Sequence, residues 1–186
     1  MDRRSPEFGS LHAYLDAHEV DLTPVQPGDP DRPNVAIPRP DGWVEVAHDV
    51  FPQAHTVIVA PEYTLDNWTP NAVLLHSRLS RWRPTDELLD AAGREARVLP
   101  DWNELCFRAV DFHGYRSVFV RGTYRVEGVE VDATTRYVVI DREYDRYLTQ
   151  LTVTAHVPAP IDLTVAASAV HTGFTVGTCE AGERRT

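Results

Sequence analysis

Eight histidines are the residues of this chain best suited to hold a metal or move a proton: His12, His18, His48, His55, His76, His113, His156 and His171. Their spacing argues against both uses. No HxH, no HExxH and no Cys/His pair at ligand spacing occurs, so a zinc site would have to be assembled from residues distant in sequence. The chain is therefore expected to carry no metal. Asp29 and Asp31 flank Pro30 in the manner of a calcium-loop pair, but aspartates beside prolines more commonly start turns, and they are read that way here. GxSxG, Walker and GxGxxG patterns are all absent, which disfavours the hydrolase, nucleotide-triphosphate and dinucleotide classes. Neither an enzyme nor a cofactor is expected.

Aromatic residues give a different signal. Of four tryptophans, Trp43 and Trp102 each follow a turn-like dipeptide and are expected to anchor loops onto the core. Trp68 lies in a loop between prolines, and Trp82 stands between Arg81 and Arg83, so both are expected to be more exposed. An indole flanked by guanidinium groups can stack on a sugar or meet an anionic headgroup. The plainer alternative has Arg81 and Arg83 solvating a loop while Trp82 caps the next helix. The functional expectation is that Trp68, Arg81, Trp82 and Arg83 border a shallow ligand or partner surface. Cys106 and Cys179, the two cysteines, are read as separate thiols; export would favour a bridge instead.

The elements that must position these groups are legible from punctuation and periodicity. Ser10 can cap a helix carrying Leu11, Tyr14, Leu15 and His18 on one stripe. From Val20 to Trp43 the chain crowds Pro24, Pro27, Pro30, Pro33, Pro38 and Pro40 with Gly28 and Gly42. Each proline fixes its own φ and biases its predecessor toward extended backbone, so one extended crossover is expected. Strands follow at 43–46, 56–60 and 72–79, the last with Val73, Leu75 and Leu79 on one face. A helix begins at Pro84 and buries Leu88, Leu89, Ala92, Ala96 and Leu99 before Pro100. From Asn103 to Ala155, β-branched and aromatic runs are broken at His113-Gly114, Glu127-Gly128 and Asp141 to Asp145, the pattern of an antiparallel meander. In it Leu105, Phe107 and Ala109 alternate with Glu104, Cys106 and Arg108. A final helix is expected to pack through Ile161, Val165, Ala166, Ala169, Val170 and Gly173. Strands in a block with flanking helices indicate an α+β sandwich: an antiparallel sheet with helices on both faces.

With 186 residues, 42% of them apolar and 25% charged, one compact domain over 11–176 is expected, with 1–10 disordered or vector-derived and 177–186 a flexible tail. All 18 basic residues are arginine, and the formal net charge of −10 would repel a phosphate backbone, so nucleic acid is excluded as a partner. No run of about 18 apolar residues offers a transmembrane helix. If Met1 is the native start the chain is expected in the cytoplasm. SPEFGS resembles residues encoded by cloning sites, however, and removal of a native leader would place the protein in the cell envelope or outside the cell.

Several motifs, taken in order, resemble the actinobacterial LpqN/LpqT lipoprotein family. They are Pro27-Gly28-Asp29-Pro30, then Asp41-Gly42-Trp43, the strand NAVLLHSRL, LPDW before the meander, and Arg121-Gly122-Thr123-Tyr124 within it. The resemblance runs from Leu11 to Val176. It implies a fold similar to Mog1 and PsbP and an exported, lipid-anchored envelope protein without catalysis. On that basis Pro27, Gly28, Asp29, Pro30, Gly42, Trp43, Gly122 and Tyr124 are expected to be structural. Two functions follow: a non-catalytic module that binds an apolar or glycolipid-like envelope ligand in a groove between sheet and helix, or a protein-interaction scaffold of the Mog1/PsbP type with no small-molecule ligand.

Overall fold

Seven-residue α1 (Leu11–Ala17) opens the chain, its first turn closed by Ser10, whose side chain accepts a hydrogen bond from the Ala13 amide. Leu11, Tyr14 and Leu15 are buried, and His18 follows as the C-cap. The computed structural model describes residues 9–177. Most of the two expected terminal segments, and with them Cys179 and the question of its pairing with Cys106, lie outside that range.

The proline-rich crossover is extended, as its composition demands, and two stretches of it pair with strands: β1 (Leu22–Pro24) and β2 (Asn34–Ala36). Two of its turns follow from residue type. Pro27 and Gly28 occupy the corners of a turn in which the Asp29 amide donates to the Gln26 carbonyl, with Gly28 at φ +87°. The Asp29 carboxylate accepts from the Gln26 amide at 2.9 Å, which makes it a turn-forming residue. Gly42 at φ +79° closes the second turn, where the Trp43 amide donates to the Pro40 carbonyl and the indole enters the core at 5% exposure.

The remaining strands are β3 (Val44–Glu45), β4 (Thr56–Val59), β5 (Asn71–Leu79), β6 (Asn103–Ala109), β7 (Ser117–Val126), β8 (Val129–Asp141), β9 (Arg146–His156) and β10 (Thr175–Gly177). They form an eight-stranded sheet, ordered β3-β4-β5-β9-β8-β7-β6, in which β1 also pairs with β5; every pairing is antiparallel. The three expected meander breaks are found, and His113, Gly114, Glu127 and Gly128 take the positive φ such tight reversals require. A separate β2–β10 pair ties the crossover to the end of the chain.

Helices α2 (Thr85–Arg94) and α3 (Ile161–Thr172) lie on opposite faces of the sheet. One core joins α1 and α2 to Leu79, Val118, Val120, Tyr137, Val139 and Leu148; the other joins α3 to Ile58, Ala72, Leu74, Val138, Leu151 and Val153. The fold is the α+β sandwich that the sequence indicates.

Three details correct the sequence reading. In α3 the buried positions are Leu163 and Val170, with Ala166 and Ala167 partly covered, whereas Ile161 and Val165 are 78% and 62% exposed. This helix is apolar nearly all round, so periodicity could not fix its rotation. In β5 the fully buried face is Ala72, Leu74 and His76, while Val73 and Leu75 are only half-buried. Strand β6 is exposed on both sides at nearly every position, because it ends the sheet.

Candidate functional site

Antiparallel register brings residues from three strands under α3. Phe119 and Arg121 of β7 stand beside Arg136 and Thr134 of β8, and Asp132 and Thr134 in turn stand beside Ala155 and Val153 of β9. Above them α3 is held at its start by Asp162, which accepts from the Tyr63 hydroxyl at 2.5 Å and from the Leu163 amide. At its far end Phe174 is fully buried and stacks on Phe112, their centroids 5.3 Å apart. Gly173 lies there against Pro38, with a Cβ in its place falling 2.7 Å from the proline ring. The helix is thus pinned at both ends.

Between those ends it does not close onto the sheet, and a cleft of about 420 Å³ remains. Its apolar lining comes from Phe119, Val153, Ala155, Ala159 and Ala167, and its polar lining from Arg121, Asp132, Thr134, Thr164, Ser168 and His171. Arg121 grips Asp132 through two nitrogens, at 3.1 and 2.7 Å, so this charge pair is fixed and bidentate. His171 sits edge-on to Phe119 at 5.2 Å, with its Nε2 buried and unpartnered. Burial first, and then the nearby Arg136 guanidinium, push its pKa down to about 4. It is neutral at physiological pH. Arg136 lies over Phe112 and Phe119, at 4.4 and 5.3 Å from their centroids, and donates to the Ser117 hydroxyl. The result is a slot whose apolar walls are interspersed with polar groups along its length.

Ser168, His171 and Asp132 share this cleft, but no hydrogen bond joins serine to histidine among the described residues, and Asp132 is committed to Arg121. These three residues do not form an activated nucleophile. No group of three or more potential metal ligands occurs among the described residues.

The residues singled out from sequence lie elsewhere. Trp68 precedes β5 and Trp82 follows it, at opposite ends of a nine-residue strand, so they do not border one surface. Trp68 is half-buried and meets Tyr124 edge-on at 6.4 Å. Trp82 is 67% exposed, and one ring face is backed by the Arg146 guanidinium at 4.7 Å. Arg81 pairs with Glu19, and Arg83 bonds Tyr14 and Glu87, which leaves Trp82 without a guanidinium from either sequence neighbour. Gly122 lies under the Trp102 indole, where a Cβ would also stand 2.6 Å from the Asn103 carbonyl. The cleft residues escaped sequence reasoning because they are single positions on three strands and a helix. The one available signal was Arg121 of the RGTY motif, noted only as part of a pattern.

The family model for the probable lipoprotein LpqN matches residues 7–177. The proline-rich 28 kDa antigen homolog of Mycobacterium leprae is 27% identical over 172 residues, 92% of this chain and 62% of that protein, so the chain spans less than two thirds of this relative. The putative lipoprotein LpqT of Mycobacterium tuberculosis is 27% identical over 170 residues, 89% of this chain and 73% of its own length. The crystal structure of LpqN involved in cell envelope biogenesis of M. tuberculosis superposes with a TM-score of 0.79 at 23% identity, covering 94% of this chain and all of that one, which establishes the shared fold. With the match to its model running through nearly the whole chain, the protein belongs to the LpqN lipoprotein family.

Proposed function

We propose that this protein is a non-catalytic binding module of the cell envelope, which holds the apolar part of an amphiphilic, glycolipid-like molecule between α3 and the sheet. The cleft carries the reading. Its volume of about 420 Å³ falls within the range of about 300–1,000 Å³ common for small-molecule sites, and its apolar walls carry polar groups among them, including the fixed Arg121–Asp132 pair. Hydroxyl groups suit this lining: the Asp132 carboxylate accepts hydrogen bonds, while Thr134, Thr164 and Ser168 exchange them. Membership in a lipoprotein family favours the envelope and gives no support to the cytoplasmic option. No helix among the described residues is long and apolar enough to cross a membrane.

Titration with dodecyl maltoside, followed by tryptophan fluorescence and native mass spectrometry, tests this reading. A one-to-one complex that Ala167→Phe weakens at least tenfold, while the variant melts like the parent, is the expected result. Binding that ignores Ala167→Phe would remove the cleft as the site.

The scaffold reading has its own observation in the cleft of about 400 Å³ where Trp82 meets the β8–β9 turn, with Tyr144 88% exposed beside it. Exposed aromatics beside arginines are common at the centre of protein interfaces. A Trp82→Ala protein that stays folded and loses a partner would favour that alternative.

A further inference from the structure

The cleft beside Trp82 lies at the opposite end of the β8–β9 hairpin from the α3 cleft, where the hairpin turn meets the end of β5. Trp82 is 67% exposed, yet its ring is backed at 4.7 Å by Arg146, which is itself only 7% exposed. Arg146 donates to the Asp141 carboxylate, at 2.8 Å through Nη2, and to the Arg83 carbonyl, so the guanidinium behind the indole is fixed. The indole is therefore an open platform held from behind. Tyr144, on the turn closed by the Arg142 amide donating to the Asp145 carbonyl, gives the same cleft a second ring.

Six of the ten lining residues are charged: Arg81, Arg142 and Arg146 with Asp141, Glu143 and Asp145. That composition excludes several occupants. An acyl chain would bury charge without compensation, and an anion would meet three carboxylates. The centre of a protein interface is depleted in Asp and Glu. The charges are moreover paired: Arg146 with Asp141, Arg81 with Glu19, and Asp145 with both Arg32 and Arg78. A lining neutralised in this way suits a neutral ligand. Each carboxylate has about four acceptor positions, so Asp141 and Asp145 keep capacity for hydroxyl groups after their arginine bonds. Nη2 of Arg142 is buried without a partner among the described residues, which leaves a donor over. A sugar ring matches this set, with C–H groups on one face to lie on an aromatic ring and hydroxyls around its edge that both donate and accept.

We propose that this cleft is a second ligand site, which takes a neutral saccharide unit of a cell-wall glycan by stacking it on Trp82, beside Tyr144, with its hydroxyls bonded to the surrounding carboxylates and Arg142. A cleft of about 400 Å³ holds little of a polymer, and a repeating glycan compensates by presenting many copies of the same unit. The assignment is independent of the α3 cleft.

Co-sedimentation with insoluble mycobacterial cell-wall polysaccharide, freed of lipid by extraction and of protein by protease, tests it. The expected result is saturable binding that Trp82→Ala weakens at least tenfold, that Trp82→Phe largely retains, and that Ala167→Phe leaves unchanged. Tyr144→Ala, at a position 88% exposed, gives a second readout of the same loss if the Trp82→Ala protein melts early. No binding, binding indifferent to both Trp82→Ala and Tyr144→Ala, or an equal loss in Ala167→Phe would each overturn the proposal. Binding only to polysaccharide not treated with protease would overturn it as well, by identifying a protein as the occupant.

Discussion

Beneath α2 the sheet is closed except for a recess beside its β6 edge, whereas beneath α3 it is left open above β7, β8 and β9, although the two helices are of similar length. Against the closed face α2 buries Leu88, Leu89, Ala91, Ala92 and Gly93, and the glycine allows Phe107 of β6 to approach. Charged residues at Asp86, Glu87, Asp90 and Arg94 fix the rotation of that helix, because turning it would bury them. Against the open face α3 buries Leu163 and Val170, with alanines between them too small to fill the space above Val153 and Ala155. What separates a core from a binding cleft here is side-chain volume along one helix stripe, together with the polar Arg121, Asp132 and Thr134 that the strands beneath α3 present in place of the apolar Val118, Val120 and Val139 beneath α2.

Four substitutions and titrations would break or sharpen this contrast. Leu88→Ala should cost the most, about 3 to 5 kcal/mol, since its side chain is fully buried in the closed layer and leaves a cavity. Urea unfolding measures it, and a loss below about 1 kcal/mol would mean that the closed layer is as loosely filled as the open one.

Acid should weaken the open face selectively. His76 and His171 both lie on it, and burial, reinforced by His55 in one case and Arg136 in the other, holds each pKa down to about 4. In the unfolded chain they titrate near the usual value of about 6.5, so between these pH values the unfolded state binds more protons. Stability is therefore full above about pH 6.5 and falls toward pH 4, by about 3 kcal/mol for each histidine at most. Chemical denaturation at pH 7 and pH 4.5 should show this loss, and His171→Gln should reduce it; an equal loss in the variant would place the effect elsewhere.

Gly42→Val should cost about 1 to 3 kcal/mol by forcing a β-branched residue to φ +79° at the turn that inserts Trp43 beneath α3. Equal melting temperatures for variant and parent would refute that turn. His48→Ala, at an exposed position, should stay within about 0.5 kcal/mol of the parent, which thermal melting will show.

The strand blocks, the meander breaks, the capped first helix and the extended crossover were all legible because each rests on local chemistry. Proline restricts φ wherever it occurs, Glu127-Gly128 can reverse a chain with no help from elsewhere, and Ser10 reaches its own first turn. The candidate site was not legible. Trp68 and Trp82 stood out by residue type, yet a nine-residue strand separates them. Arg121, Asp132 and His171 looked ordinary and were brought together by strand register and the seat of α3.

By itself, then, the sequence determined the fold class, the order of elements, the family motifs at Pro27–Pro30 and Arg121–Tyr124, and the absence of the familiar catalytic patterns, all of which depend on neighbours in the chain. Tertiary structure alone decided which stripe of α3 faces inward, that β6 and not β3 is the long open edge, and that a neutral histidine and a fixed Arg–Asp pair share one cleft. Those outcomes depend on volumes and registers set by residues far apart in sequence, and periodicity carries no information about the space between two elements.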